Sequence, residues 1–437
     1  MPIFATAPQS TRVLMVISVL ARGGCERLLL AAVRGLLQRG YTIEIFTLAL
    51  VPAHDSSLMP EFAKLGIRSS CAADFGDVLG ECEDGRQPDV LEQFRPILPH
   101  LDVVQLGAAL RHVIRRFDPG VVHCWSEPSS VIGGLIAAEI HVPRIIVHLV
   151  NVPPFRLNLQ GADLYRDAYR LLLRNETVQF LNTSAANARD LERWLGVRFG
   201  SVKVLRSGFR PDSMRRRSGR EAKQCRVSLG IPADAPIVGT IMRFAPEKDP
   251  ELWIETAARI AALRPDVYFL LGGYGALAQT IVRRIEEHGL SHRFTLPGTV
   301  TDLGAVYACM DVFLMTSHYE GTPGTLREAQ AAGVAVVAPQ VGGTAEAMLH
   351  GRTGLLTASR DAQELADAVL RVLNDQGLRR SAAKHGPRFV AKQFGWRCNI
   401  DRTIAFYRGD SWPARALDWL NRRLPFLRNR AAASRSG

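Results

Sequence analysis

Ser317-His318-Tyr319-Glu320-Gly321-Thr322-Pro323-Gly324-Thr325-Leu326-Arg327-Glu328-Ala329-Gln330-Ala331-Ala332-Gly333 stands between two short apolar runs, 310–315 and 334–338. Each run reads as a buried strand, and the segment between them as a loop and a helix, so the whole forms one strand–helix–strand unit. Thr322 is the expected N-cap, with Pro323 at the first helical position and Gly324 and Thr325 leaving the backbone uncrowded. A helix start of this kind offers free N–H groups and the positive end of the helix dipole, which favour an anion such as phosphate.

Two carboxylates bracket that helix start. Glu320 lies on the preceding loop and Glu328 in the second helical turn. At ~1.5 Å rise per residue, Glu328 is on the order of 8 Å along the axis from the helix start. The separation suits a ligand with hydroxyls at both ends and a diphosphate between them, the shape of a nucleotide-sugar. An ordinary capped helix with two solvated glutamates is the alternative that local physics leaves open.

Working outward, 437 residues suffice for two domains with separate cores. Hydrophobic content of 47% with 22% charged residues describes a globular chain and excludes a disordered one. Lys and Arg number 54 against 42 Asp and Glu, a net charge of +12, which would serve nucleic acid, an anionic membrane or a phosphate-bearing ligand. Seven scattered cysteines with no C-x-x-C spacing suggest neither a disulfide framework nor a zinc site, and a reducing cytosol is expected. No apolar run is long enough to span a bilayer; 131–150 is broken by Glu139, Pro143 and Arg144.

After a frayed leader (1–10), the run 13–18 is a continuous apolar strand of the kind buried in parallel sheets. It leads to Gly23-Gly24, a turn that lets a ligand approach the backbone, and to a helix at 26–38. This is not G-x-G-x-x-G, so a dinucleotide site is poorly supported. Val121-Val122-His123-Cys124-Trp125 and Pro143-Arg144-Ile145-Ile146-Val147-His148 place His123, Trp125 and His148 at C-terminal strand ends, where open α/β sheets bind ligands. Packing histidines are the alternative there. An acidic loop at 73–88 separates these elements, and the basic stretch 211–235 reads as a linker. Strand–helix alternation then resumes from 236, so the fold class is α/β with two parallel-sheet domains.

Glu320-Gly321-Thr322-Pro323 through Glu328 and Gly333, followed by Val341-Gly342-Gly343 and Glu346, resembles glycosyltransferase family 4, the retaining GT-B enzymes with an E-x7-E motif. Gly239–Arg243 with Glu247-Lys248 is similar to that family's phosphate-binding segment, and Gly23-Gly24 to its first turn. The resemblance implies two Rossmann-like domains facing across a cleft: an acceptor domain (1–210) rejoined by a return helix near 394–410, and a donor domain (236–393). It implies no cofactor and no metal, with a UDP- or GDP-linked nucleotide-sugar as co-substrate and a glycan or lipid-linked acceptor. On this basis Arg243, Lys248 and the backbone of Thr322, Pro323, Gly324 and Thr325 would bind the diphosphate, with Gly23 and Gly24 opposite. Glu328 would hold the ribose, and Glu320 would act at the sugar.

Where the family has His-x-His, this chain has His123-Cys124-Trp125, so Trp125 replaces the second histidine and is a candidate sugar or acceptor platform; His123 and His148 are candidate catalytic residues. The tail 411–437 interleaves Arg with Trp, Leu and Phe, a pattern suited to an anionic membrane surface or to packing on the first domain. The expected enzyme is a cytoplasmic hexosyltransferase of surface polysaccharide or glycolipid assembly, peripheral on the inner face of the plasma membrane. A nucleotide-sugar epimerase of the same fold is the alternative. A nucleic-acid-binding protein is favoured by charge alone, with no recognisable motif for it.

Overall fold

The computed structural model describes residues 11–21, 23–49, 57–75, 91–97, 102–157, 161–210, 214, 217–300 and 302–410. The expected leader, most of the acidic loop and the tail lie outside them. The first domain runs β1 (Arg12–Ile17), α1 (Gly24–Leu37), β2 (Thr42–Thr47), α2 (Met59–Ala63), β3 (Arg68–Cys71), α3 (Val103–Phe117) and β4 (Val121–Trp125). It continues with α4 (Ser129–Glu139), β5 (Arg144–Leu149), α5 (Ala162–Leu173), β6 (Val178–Asn182), α6 (Ala185–Leu195) and β7 (Val202–Val204). Its seven strands pair in the order β3-β2-β1-β4-β5-β6-β7, all parallel.

The second domain opens with α7 (Gly219–Ser228), then β8 (Ile237–Arg243), α8 (Pro250–Leu263), β9 (Tyr268–Tyr274), α9 (Ala278–Glu287), β10 (Phe294–Thr295) and α10 (Leu303–Cys309). There follow β11 (Val312–Leu314), α11 (Gly324–Ala331), β12 (Ala335–Pro339), β13 (Gly354–Thr357), α12 (Ala362–Asn374), α13 (Gln376–Phe394) and α14 (Trp396–Arg408). Its six strands are again parallel, in the order β10-β9-β8-β11-β12-β13.

The runs read as continuous apolar strands are so because helices cover both faces of each sheet. In β1, Leu14 and Val16 enter one core with α3 and α4, while Val13, Met15 and Ile17 enter the other with α1. That second core also holds Ile400, Ile404, Phe406 and Tyr407 of α14, so the last helix packs on the first domain. The stretch expected as a linker differs in part: Ser218 and Glu221 form a capping box that starts α7, and Arg226 ties this helix to Asp311 at 3.0 Å and to the Cys309 carbonyl at 3.0 Å. The helix thus belongs structurally to the second domain.

Each sheet reverses its strand order once, between β1 and β4 in the first domain and between β8 and β11 in the second. Loops leave the sheet in opposite directions at such a point and open a crevice at the C-terminal strand ends. Gly23-Gly24 follows β1 and Trp125 ends β4; Arg243 ends β8 and Glu320 follows β11. These strand ends and turns therefore sit at the two crevices.

Candidate active site

In the second crevice, the turn after β8 carries Lys248, whose Nζ lies 2.7 Å from Oε1 of Glu320. The same oxygen accepts a bond from Ser317 Oγ at 2.7 Å. The Glu320 side chain is 12% exposed and that of Lys248 26%, so the pair is shielded enough to be held but still reaches the cleft. Arg243 is largely exposed and pairs with Glu247. Burial acts to raise the Glu247 carboxyl, but the Arg243 hydrogen bond, a backbone hydrogen bond and the Arg243 and Lys248 charges together outweigh it and keep the group below its usual range. Thr316 Oγ1 donates to the Lys248 or Asp249 carbonyl, 3.0 Å from each, which seats the β8 loop on the strand end before Glu320.

The start of α11 differs from expectation. Pro323, not Thr322, occupies the N-cap position, and no side chain caps the helix. Thr322 Oγ1 instead donates to the Thr183 carbonyl of the first domain at 3.0 Å. The first N–H groups of α11, at Gly324 and Thr325, have no acceptor within the helix. Both residues are partly exposed, so an anion can reach them. Further along, Glu328 Oε2 accepts from the Tyr307 hydroxyl at 2.8 Å. Burial first, then the Glu328 charge, pushes the Tyr307 phenol well above its ordinary value, so it stays a donor. Arg327, between the two glutamates, turns away into the hinge and donates to the Ser207 carbonyl at 2.8 Å. Its burial lowers the guanidinium to about 10, against the favourable charges of Glu328 and Glu320.

In the first crevice, Gly24 is exposed, and a Cβ there would meet nothing within 4 Å. Glu26, in the first turn of α1, is raised above its ordinary carboxyl value by burial, while Arg243 across the cleft and Arg27 act to lower it. Arg27 also acts on Tyr307. These electrostatic couplings bring the Gly23-Gly24 turn opposite Arg243 and the Glu328 end of α11.

His123, Trp125 and His148 depart from the expectation of ligand-facing groups. Strand alternation puts His123 and Trp125 on the same face of the sheet, turned toward α1 and α14 rather than into the cleft. His123 is 0% exposed, Trp125 3% and His148 3%. The Trp125 ring stacks on His123 with centroids 4.7 Å apart, so its face is covered and it offers no open platform here. His123 Nδ1 is 2.7 Å from the Tyr407 hydroxyl, and its Nε2 is 3.3 Å from His148 Nδ1. Burial lowers both imidazoles, His148 to about 3, so the relay is neutral. Trp125 Nε1 and His148 Nε2 are buried and have no hydrogen-bond partner among the described residues. They are the part of this cluster with bonding capacity left over.

The two halves touch along a narrow seam. Asn187 Nδ2 donates to the Glu320 carbonyl at 3.0 Å, and Glu346 accepts from the Ala186 N–H at 2.9 Å and pairs with Arg206 at 3.2 Å. Gly321 and Gly343 permit this approach. A Cβ on Gly321 would lie 2.3 Å from the Val150 carbonyl oxygen, and one on Gly343 2.6 Å from Ser184 Cβ. Tyr307, Ser317, Asn187, Glu26 and Tyr407 are site residues that sequence reasoning missed. Ser317 acts on Glu320 only three residues away, whereas Tyr307, Asn187, Glu26 and Tyr407 acquire their roles from partners more distant in the chain. Among the described residues, no group of three or more His, Cys, Asp or Glu is placed to hold a metal, and no helix is long and apolar enough to cross a membrane.

Two families match the chain in succession: Glycosyltransferase Family 4 over residues 22–213 and Glycosyl transferases group 1 over residues 222–389. The Vi polysaccharide biosynthesis protein VipC/TviE of Salmonella typhi is 29% identical over 270 residues, 60% of this chain and 46% of that protein. The D-inositol 3-phosphate glycosyltransferase of Corynebacterium urealyticum is 28% identical over 278 residues, 62% of this chain and 65% of that protein. The match thus spans less than two thirds of either relative. The enzyme of that name from Mycolicibacterium smegmatis is 28% identical over 442 residues, 95% of this chain and 90% of its own. Among solved structures, Anabaena HepE in complex with UDP and glucose superposes with a TM-score of 0.72 at 19% identity, covering 91% of this chain and all of that one. Sucrose-phosphate synthase of Thermosynechococcus elongatus does so at 0.70 and 21%, covering 91% and 98%. These structures share the two-domain fold described above.

Proposed function

The chain belongs with the glycosyltransferases of the GT-B fold, and from that premise we propose that it moves a sugar from a nucleotide-sugar to a glycan or lipid-linked acceptor, with retention at the reacting carbon. The observation that carries this reading is the Lys248–Glu320 pair at the open start of α11, with the Glu328–Tyr307 pair further along the same helix. Arg243, Lys248 and the N–H groups of Gly324 and Thr325 would take the diphosphate, Glu328 the ribose hydroxyls, and Glu320 the sugar.

Fixed cations and a helix start stabilise charge as it develops on the leaving diphosphate, so the chemistry asks for no metal. The acceptor hydroxyl would attack from the face the diphosphate leaves, and the departing phosphate oxygen would take its proton. His123 and His148, lying behind Trp125, act on this scheme by positioning the first-domain wall. The name of one relative, a Vi polysaccharide biosynthesis protein, supports a role in polysaccharide assembly. The UDP and UDP-glucose complexes of Anabaena HepE favour a UDP-linked donor over a GDP-linked one.

Calorimetric titration with UDP- and GDP-sugars, in the presence and absence of EDTA, tests the reading. A hexose-linked donor should bind with micromolar affinity unaffected by EDTA, and Lys248→Ala and Glu320→Ala should weaken or abolish turnover. Failure of every donor to bind would overturn it. The same-fold epimerase reading predicts conversion of the donor without acceptor, which product analysis separates from transfer.

A further inference from the structure

At the end of the first sheet away from the cleft lies a cavity of about 500 Å³, lined among others by Thr11, Tyr41, Val121, Arg144, Tyr407 and Arg408. It opens where β4 and β5 enter the sheet and α14 ends. The parallel register sets Arg144 beside Val121 at the first position of each strand, so the side chain is delivered to this mouth by the pairing itself.

Arg144 Nε donates to the Phe406 carbonyl at 2.9 Å, which satisfies one group at the C-terminal end of α14 and fixes the guanidinium. The fork is left over. Gly409 holds φ +78°, a conformation that favours glycine, and a Cβ built on it would lie 3.4 Å from Nη2, at contact distance from the fork. Among the described residues no carboxylate forms an ion pair with Arg144 or Arg408: Asp118 pairs with Arg12 and Asp401 with Arg39, while Asp410 lines the adjoining hollow with Arg408 without an ion pair to it. The Tyr407 hydroxyl is likewise committed, to His123. Burial without a counter-charge holds Arg144 below the ordinary guanidinium value. Two guanidiniums thus line one cavity, Arg144 half-buried with its fork unspent and Arg408 exposed at the rim, so that an anion there would meet both and would replace water at the half-buried one.

We propose that this cavity binds a phosphoryl group, with the Arg144 and Arg408 guanidiniums as its ligands and the Tyr41–Tyr407 ring pair, 5.9 Å between centroids, as its wall. A guanidinium fork matches the oxygens of a phosphate in a way that an ammonium does not. The phosphoryl group has two sources with the same chemistry, a soluble phosphorylated molecule and a phospholipid headgroup.

The test uses the full chain carrying Arg243→Ala and Lys248→Ala, so that the cleft's own cations do not take the probe. Inorganic phosphate is titrated by phosphorus NMR line width, and vesicles of phosphatidylcholine with or without phosphatidate are used in flotation. Each probe is then repeated with Arg408→Gln, a surface change, and with Arg144→Lys, which keeps the charge and removes the fork. Melting curves verify that both variants fold. Saturable phosphate binding that weakens at least tenfold in both variants supports a soluble ligand. Phosphatidate-dependent flotation that both variants reduce supports the headgroup. If neither probe binds, or if neither variant changes the binding, the proposal is overturned.

Discussion

The Lys248 ammonium stands 2.7 Å from the Glu320 carboxylate, and the two residues arrive there from different strands of the second sheet, 72 positions apart. The pair holds the loop after β8 against the loop before α11 in the free protein. A partly shielded ion pair should be visible as energetic coupling. In a double-mutant cycle with Lys248→Met and Glu320→Gln, read by chemical denaturation, we expect a coupling of about 1–3 kcal/mol. Additive effects would mean that the pair has no energetic content. Turnover should fall by two orders of magnitude or more in either single variant.

Tyr307 donates its hydroxyl to Glu328 and so fixes the carboxylate that would meet the ribose. Tyr307→Phe keeps the ring in the core and removes only that bond. A hydrogen bond to a charged acceptor contributes roughly 1.5–3 kcal/mol, so nucleotide affinity should fall by about tenfold or more, with little change in the rate at saturating donor. Calorimetric titration with UDP and steady-state kinetics together check this. A fall in rate with unchanged affinity would assign Tyr307 to a different role.

Gly343 is the test of the seam. A Cβ there would lie 1.9 Å from the Gly321 carbonyl oxygen of the same domain and 2.6 Å from Ser184 Cβ of the other. Gly343→Ala should therefore displace the Gly321 loop as well as push the first-domain wall away. The expected result is a larger radius of gyration in solution scattering, with activity lost and the denaturation midpoint lowered. Unchanged scattering and activity would show that the seam has slack.

Between pH 4.5 and 6.5, His123 and His148 are protonated in the unfolded chain and neutral in the fold, because burial depresses both and takes His148 to about 3. Their contribution is therefore present above the unfolded value and is lost as pH falls below about 6.5. Glu127 has the opposite sign. Burial raises it to about 7, against the lowering bond from Tyr169, so it is protonated in the fold while ionised in the unfolded chain over the same window. His148→Gln should flatten the stability–pH slope by about 1.4 kcal/mol per pH unit relative to the parent, and Glu127→Gln should steepen it by about the same amount. Urea denaturation at pH 6.5, 5.5 and 4.5 measures both. Parallel slopes in all three proteins would contradict the burial argument.

Much of the fold is local in origin and was legible. The apolar run of β1 reads as a two-faced buried strand because its neighbours in sequence carry the helices that cover it. Element boundaries answer to backbone geometry: after β4 the chain turns through Ser126 at φ +58°, and α4 begins only at Ser129. Thr322 was misread for a reason that generalises. A threonine before a proline satisfies every local rule for a cap, yet the Thr183 carbonyl of the other domain offers its hydroxyl a competing acceptor. Trp125 was misread in the same sense, because alternation says which residues share a face but not which face looks into the cleft.

The sequence by itself determined the repeating strand–helix pattern of both halves, the glycine turn after β1, and the eight-residue step from Glu320 to Glu328. These depend on interactions within a few residues, where periodicity and backbone preference dominate. Only the tertiary structure decided that Lys248 pairs with Glu320, that Tyr307 holds Glu328, that His123 is buried against Tyr407, and that Gly321 and Gly343 carry the seam. Each is a contact between residues distant in the chain. It forms because packing two sheets and closing two domains leaves those groups no nearer partner, and short-range patterns hold no record of that.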